Sequence, residues 1–225
     1  MPHFDIVKQS NIRKTFRVAR IMGDFDVKPE HCNERFVGDI DLPDDWNVGL
    51  IVGNSGTGKT TIAENLFSKN LYKGGCFEKD SVIDDMPQSA SVDEIEQAFY
   101  AVGFGSVPSW LKPYAVLSNG EKMRVDLANA LLQNELVVFD EFTSVVDRNV
   151  ARVCSVAVEK AVRRNGKQFV AVTCHRDIIE WLQPDWIFDT DEMQMSFPSA
   201  HDRDNGIQSG DVGERNGESL DDIII

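Results

Sequence analysis

Val48-Gly49-Leu50-Ile51-Val52-Gly53-Asn54-Ser55-Gly56-Thr57-Gly58-Lys59-Thr60-Thr61 is the stretch whose reading decides the fold. Its first five residues form an apolar run of strand length. A helix is predicted from Lys59 to about Ser68. Between them lies G-x-x-x-x-G-K-T, with a strand before it and a helix after it, the context this motif requires. Glycine lets backbone N–H groups curl around an anion without Cβ clashes, and a helix N-terminus adds partial positive charge. Gly53, Asn54, Ser55, Gly56, Thr57, Gly58, Lys59, Thr60 and Thr61 are therefore the candidate phosphate cradle. Lys59 is expected at the β- and γ-phosphates of a nucleotide, and the Thr60 hydroxyl at a Mg²⁺ ion.

A second apolar strand, Leu136–Phe139, ends in Asp140-Glu141. Ligands of open parallel sheets bind beyond the C-terminal strand ends, so both carboxylates are expected near the phosphates. Asp140 is the candidate metal ligand, and Glu141 can polarise a water for in-line attack. Further elements alternate along the chain. Thr15–Ala19 and Arg35–Leu42 read as strands opening an antiparallel sheet, and Ser81–Ile83 as a short strand. Ser91-Val92-Asp93-Glu94 is a capping box for a helix running to Val102 and stopped by Gly103. Ser118–Leu132 is a second boxed helix. A helix from Asp147 to Arg164 places Val150, Val153, Ala157 and Ala161 on one face, with Gly166 as its stop, and Phe169–Thr173 is the next strand. This alternation predicts an α/β fold with a mostly parallel sheet covered by helices on both faces.

With 225 residues the chain can bury a substantial core, and its 42% hydrophobic and 27% charged content is ordinary for a globular protein. No apolar run approaches the roughly 20 residues that cross a bilayer, and the start has no basic segment followed by an apolar one; a cytoplasmic protein with no direct membrane insertion is expected. Cys32, Cys76, Cys154 and Cys174 are scattered, which suggests reduced thiols and no zinc site. A net charge of −14 opposes tight nucleic-acid binding by this chain alone. One basic segment, Lys8, Arg13, Lys14, Arg17 and Arg20, reads either as a solvated strand face or as a docking strip. Residues 1–198 are expected to form the folded unit and 199–225 an acidic, Gly-rich disordered tail, in which seven acids accompany two arginines. Ile223-Ile224-Ile225 behind acids is either a strand-adding docking tip or an accidental end.

The region between the two motifs, with the residues that follow the second, supplies a family resemblance. Leu117-Ser118-Asn119-Gly120-Glu121-Lys122 resembles the signature motif of ATP-binding-cassette (ABC) ATPases, usually L-S-G-G-[QE]. Thr143-Ser144-Val145-Val146-Asp147 resembles their D-loop, Thr173-Cys174-His175 their switch-histidine loop, and Gln88 stands where they carry the Q-loop glutamine. The likeness covers roughly residues 35–190 in the family's motif order. It implies an ABC-type P-loop NTPase with an N-terminal antiparallel subdomain and a small helical subdomain. It further implies hydrolysis of ATP with Mg²⁺, using Lys59, Glu141, His175 and Gln88 in catalysis and Thr60, Gln88 and Asp140 at the metal. Ser118 and Gly120 would grip the γ-phosphate of ATP on the opposite subunit of a head-to-tail homodimer (or a heterodimer with another cassette), and Asp147 would cross that interface.

The sequence departs from the family at Asn119, in place of a glycine, and at Phe142, in place of the usual proline. No clear aromatic marks an adenine-stacking loop; Phe25 is the candidate. The helical subdomain is confined to 89–116, shorter than in transporter cassettes. A soluble cassette driving work on a macromolecular partner is favoured over a transporter subunit or an ATP-gated binding module with slow hydrolysis. The last could be a shortened form of the cassettes found beside acetyltransferase-like domains.

Overall fold

A computed structural model describes residues 3–8, 12–13, 15–28 and 33–198. The chain divides into two compact units, Met1–Asp41 and Leu42–Ile225. The expected tail, 199–225, and Cys32 lie outside the described residues, as do Lys14 and the apolar tip.

The first unit contains strand β1 (His3–Lys8), helix α1 (Phe16–Asp24) and strand β2 (Glu34–Asp39). β1 and β2 pair antiparallel, with Phe4 opposite Gly38 and Ile6 opposite Phe36. Phe4 and Phe36 are buried, while Arg35 forks onto Asp5 across the ladder at 2.8 and 2.6 Å. An antiparallel pair is thus present, but Thr15–Ala19 is not one of its strands. Thr15 instead caps α1, its hydroxyl accepting the Val18 N–H. The β-branched and aromatic residues of this stretch suggested a strand, but the apolar spacing Val18, Ile21, Met22, Phe25 has the helical period. Arg17 and Arg20 accordingly lie on a helix and not on a strand face, with Arg20 3.6 Å from Asp24 one turn on.

The second unit opens with β3 (Val48–Val52) and α2 (Lys59–Phe67). Four short helical segments follow: α3 (Val82–Asp85), α4 (Val92–Ala101), α5 (Val107–Trp110) and a 3₁₀ turn at Tyr114–Val116. Then come α6 (Asn119–Gln133), β4 (Leu136–Phe139), α7 (Arg148–Arg164), β5 (Gln168–Thr173), α8 (Ile178–Leu182), β6 (Trp186–Asp189) and β7 (Gln194–Ser196). The sheet order is β4-β5-β3-β6-β7, parallel except for the β6–β7 hairpin at one edge.

β3 is central and fully buried, which explains its unbroken apolar run. Its two faces see different packing. Val48, Leu50 and Val52 join a core with Ile95 and Phe99 of α4, Leu127 of α6 and Val158 of α7. On the other face Trp186 stacks near Phe67 of α2, ring centroids 6.3 Å apart, and meets Trp46 edge-on at 5.4 Å. A Cβ at Gly49 would fall 2.1 Å from the Trp186 ring, so glycine is required there by crowding. Asp185 anchors the start of β3 by accepting the N–H groups of Asn47 and Val48 at 2.8 and 2.9 Å.

Both capping boxes, at Ser91 and Ser118, are formed as expected. Ser81–Ile83 is corrected from strand to the cap and first turn of α3. Here Asp85 collects the N–H groups of Glu78 and Lys79, and the Ser81 hydroxyl donates to Asp84 at 2.5 Å. Such local side-chain bonds compete with a sheet ladder. The sheet edge beyond β4 is met instead by Leu71, which bridges Val138 in parallel. On α7 the buried face is Ala151, Cys154, Ser155, Val158, Ala161 and Val162, rotated from the expected stripe; Val153 is 53% exposed. The small residues let the helix approach the sheet, and the Ser155 hydroxyl is satisfied by the Ala151 carbonyl at 2.8 Å.

Candidate functional site

The strand order puts β3, β5 and β4 side by side, so the turns leaving their C-terminal ends share one rim of the sheet. The turn after β3 is the glycine-rich loop. Gly56 and Gly58 have φ of +86° and +89°, a left-handed conformation that glycine adopts without a Cβ penalty. A Cβ on Gly56 would meet nothing within 4 Å, so conformation and not crowding selects glycine there. At Gly53 the reverse holds: a Cβ would lie 2.1 Å from the Thr190 hydroxyl. Gly58 is the N-cap of α2 and supplies no side-chain cap, leaving the first N–H groups of the helix directed at the loop. Lys59, only 8% exposed, crosses the loop and donates to the Asn54 carbonyl at 2.6 Å. The Thr57 hydroxyl donates to the same carbonyl at 2.9 Å. Asn54, Ser55, Gly56 and Thr60 are exposed, and Thr61 half-buried.

After β4 the backbone turns differently. The half-buried Asp140 accepts the Glu141 N–H at 2.9 Å. Glu141 itself has φ +53°, and its exposed carboxylate accepts the Ser144 hydroxyl at 2.5 Å. Thr143 has φ +65° and is fully buried, its hydroxyl without a partner among the described residues. Phe142 is buried edge-on against Phe139 and Phe169, centroids 6.3 and 5.4 Å away, and its N–H donates to Val172 of β5 at 2.9 Å. Proline at that position could supply neither the aromatic ring nor the donor.

Beyond β5, the N–H of half-buried His175 donates to the Thr173 hydroxyl at 3.2 Å. Arg176 pairs with Asp189 and Asp191, and Asp177 with Arg148. The Arg176 guanidinium holds the Asp189 carboxyl below the usual carboxylate range. Asp191 in turn accepts the Asn54 N–H at 3.0 Å. Sequence reasoning missed Thr190, Asp191 and Arg176. The available signal was Trp186-Ile187-Phe188 running into Asp189-Thr190-Asp191, the same apolar-then-acidic pattern as the end of β4.

The signature-like segment lies at the start of α6. Ser118 and Glu121 cap reciprocally, and the Ser109 hydroxyl donates to Glu121 at 2.7 Å. That bond and the Ser118 N–H hold the Glu121 carboxyl below its ordinary range. The nearest side chains to a Cβ on Gly120 would be Val150 and Val146, at 3.6 and 3.7 Å, which is ordinary contact. Asp147 caps α7 by accepting the Asn149 and Val150 N–H groups, each at 3.0 Å. Gln88 is exposed and lines a polar groove of about 500 Å³ with Lys69–Cys76, Asn129 and Gln133; no residue of the glycine-rich loop lines it.

These residues suit a nucleoside polyphosphate. The loop offers an uncrowded backbone donor at Gly56, left-handed backbone at Gly58 and a buried ammonium at Lys59, and the Thr60 hydroxyl and Asp140 carboxylate are hard oxygen ligands suited to Mg²⁺. Among the described residues there is no group of three or more His, Cys, Asp or Glu placed to hold a metal, so such an ion would depend on phosphate oxygens as well. Among the same residues no helix is long and apolar enough to cross a membrane.

No protein-family model matches the chain, and no curated protein matches it in sequence. Solved structures do match. The ATP-binding cassette MJ0796, in a dimeric post-hydrolysis state bound to ADP and Pi, superposes with a TM-score of 0.57 at 13% identity, covering 73% of this chain and 92% of that one. A dimeric structure of MJ0796, described as a bacterial ABC transporter cassette, gives 0.54 at 14% identity over 69% and 87%. CbiO1 from Clostridium perfringens, part of the ABC transporter complex cbiONQ, gives 0.53 at 20% over 67% and 76%. The chain has the fold of the ABC ATPase cassettes.

Proposed function

We propose that this chain binds Mg-ATP and hydrolyses it as an ABC-type ATPase. The observation that carries the reading is the pairing on one sheet of a left-handed glycine loop crossed by buried Lys59 with a carboxylate pair leaving β4. In this reading the loop N–H groups and Lys59 bind the phosphates, and Thr60 and Asp140 hold Mg²⁺. When bound, the ion would neutralise charge on the phosphate oxygens. Glu141 would orient and polarise the attacking water, and His175 would contact the γ-phosphate from the end of β5.

The same reading extends to a head-to-tail dimer in which Ser118 and Gly120 face the ATP of the partner. Gly120 supports it: no side chain of its own chain crowds a Cβ there, so an approaching anion gives glycine a reason at that position. MJ0796, described as dimeric and bound to ADP and Pi, agrees with it. The helical region between α3 and α6 amounts to α4, the single turn α5 and a 3₁₀ turn, which fits a cytoplasmic machine acting on a macromolecular partner. A transporter cassette is the second reading, favoured by the transporter descriptions of the similar structures.

Phosphate release and light scattering with Mg-ATP test the proposal. Steady turnover that Glu141→Gln abolishes, with a persistent ATP-dependent dimer in that variant, is expected. Equal low rates in both proteins would leave an ATP-gated binder, and a monomer at all nucleotide concentrations would remove the trans role of Ser118 and Gly120.

A further inference from the structure

We propose that Arg176 and Asp177 brace the switch-histidine loop between the glycine-rich loop and the start of α7, making Arg176 a positioning residue for hydrolysis; this rests on the ATPase reading. β5 ends at Thr173, and His175 is followed at once by two residues that bond in different directions. Arg176 forks onto Asp189 and, at 2.7 Å, onto Asp191. Asp191 accepts the backbone N–H of Asn54, the second residue of the cradle, and its own N–H donates to Asp189 at 2.9 Å. Asp177 accepts a two-pronged contact from Arg148, whose guanidinium lies 5.2 Å from the Trp181 ring centroid. Arg148 is the first residue of α7, directly after the capping residue Asp147. His175 is therefore followed directly by two tethers, one to the phosphate loop and one to the D-loop-like turn.

Stability alone does not account for the arrangement. The Arg176 side chain is 48% exposed and its partners Asp189 and Asp191 are 21% and 22% exposed, so solvent screens the network from the arginine side and its contribution to folding is modest. Charge and geometry account for it better. Asp189 and Asp191 add two carboxylates to a rim that already carries Asp140 and Glu141 and must admit a polyphosphate. Arg176 offsets that repulsion, and its planar fork spans two carboxylates at once, which a lysine ammonium cannot do in fixed orientation. The charge should therefore govern ATP affinity and the fork should govern His175 placement.

Full-length Arg176→Gln, Arg176→Lys and Asp191→Asn test this, with amide hydrogen exchange at Asn54 measured in the nucleotide-free protein beside steady-state kinetics. Arg176→Gln is expected to speed Asn54 exchange several-fold, raise KM for ATP and lower kcat about tenfold, with a melting temperature within a few degrees of wild type. Arg176→Lys should recover KM but not kcat. Asp191→Asn, which keeps an acceptor for the Asn54 N–H but removes one rim carboxylate, should lower kcat without raising KM and decides the matter if Arg176→Gln folds poorly. Wild-type kcat in Asp191→Asn, unchanged Asn54 exchange in Arg176→Gln, or a lysine variant no better than glutamine in KM would overturn the brace. A wild-type chain without ATP turnover would overturn the ATPase reading instead, and Asn54 exchange would still report on the tether.

Discussion

The turns that leave β3 and β4 do the same topological job with opposite backbone economies. Both end a buried apolar strand on the same rim and both enter left-handed backbone. After β3 the left-handed positions are glycines, Gly56 and Gly58, whereas after β4 they are Glu141 and Thr143. Left-handed backbone costs a residue bearing a Cβ about 1–2 kcal/mol, and such strain persists only where surrounding structure imposes it. The glycine-rich loop is thus relaxed. The carboxylate turn is held by Phe142, whose ring fills the core and whose N–H is bonded to β5. In the proposed ATPase reading the difference means that binding and chemistry are supported separately: one loop would present donors without strain, and the other would aim a carboxylate from backbone that the core holds in place.

Substitutions can break that comparison. The largest effect is expected from Glu141→Gln, which keeps the shape of the strained turn and removes the proposed base; turnover should fall about 10²–10⁴-fold in a phosphate-release assay while ATP still binds. Lys59→Ala acts on the relaxed loop and should weaken Mg-ATP binding by roughly ten- to a hundredfold in calorimetry, the worth of a charge-assisted bond. Gly56→Ala has open space for its methyl but the wrong backbone. It should cost about 1–2 kcal/mol in urea unfolding and weaken nucleotide binding as the loop shifts. Glu141→Gly is the sharpest test because its sign is opposite. Removing a Cβ from left-handed backbone should gain up to about 1 kcal/mol in stability, after the extra unfolded-state entropy of glycine is subtracted, while eliminating turnover. A destabilised Glu141→Gly protein would show that the Ser144 bond, and not strain, dominates that turn.

Much of the site was legible because its chemistry is local. A lysine six residues beyond Gly53 reaches back across its own loop, and Ser118 caps the helix it precedes, so spacing alone announces both. The same locality misled at Thr15–Ala19, where β-branched residues outweighed the 3–4 spacing of Val18, Ile21, Met22 and Phe25. It misled again at Ser81–Ile83, where Asp84 and Asp85 bond within the turn. On α7 the helix was legible but not its buried face, because Ala151, Cys154 and Ser155 are selected by closeness to the sheet and not by hydrophobicity.

The sequence by itself determined the loop–helix cradle, the paired carboxylates at a strand end and the caps of α4 and α6, since each acts within a turn or two of backbone. Only the tertiary structure decided that Trp186 confines Gly49, that Phe142 holds a strained turn against β5, and that Asp191 bonds to Asn54 from 137 residues away. Those contacts depend on β6 lying beside β3 rather than beside its nearer neighbour in sequence, β5. Strand order is set by how whole faces bury, a sum over the entire core that no local spacing encodes.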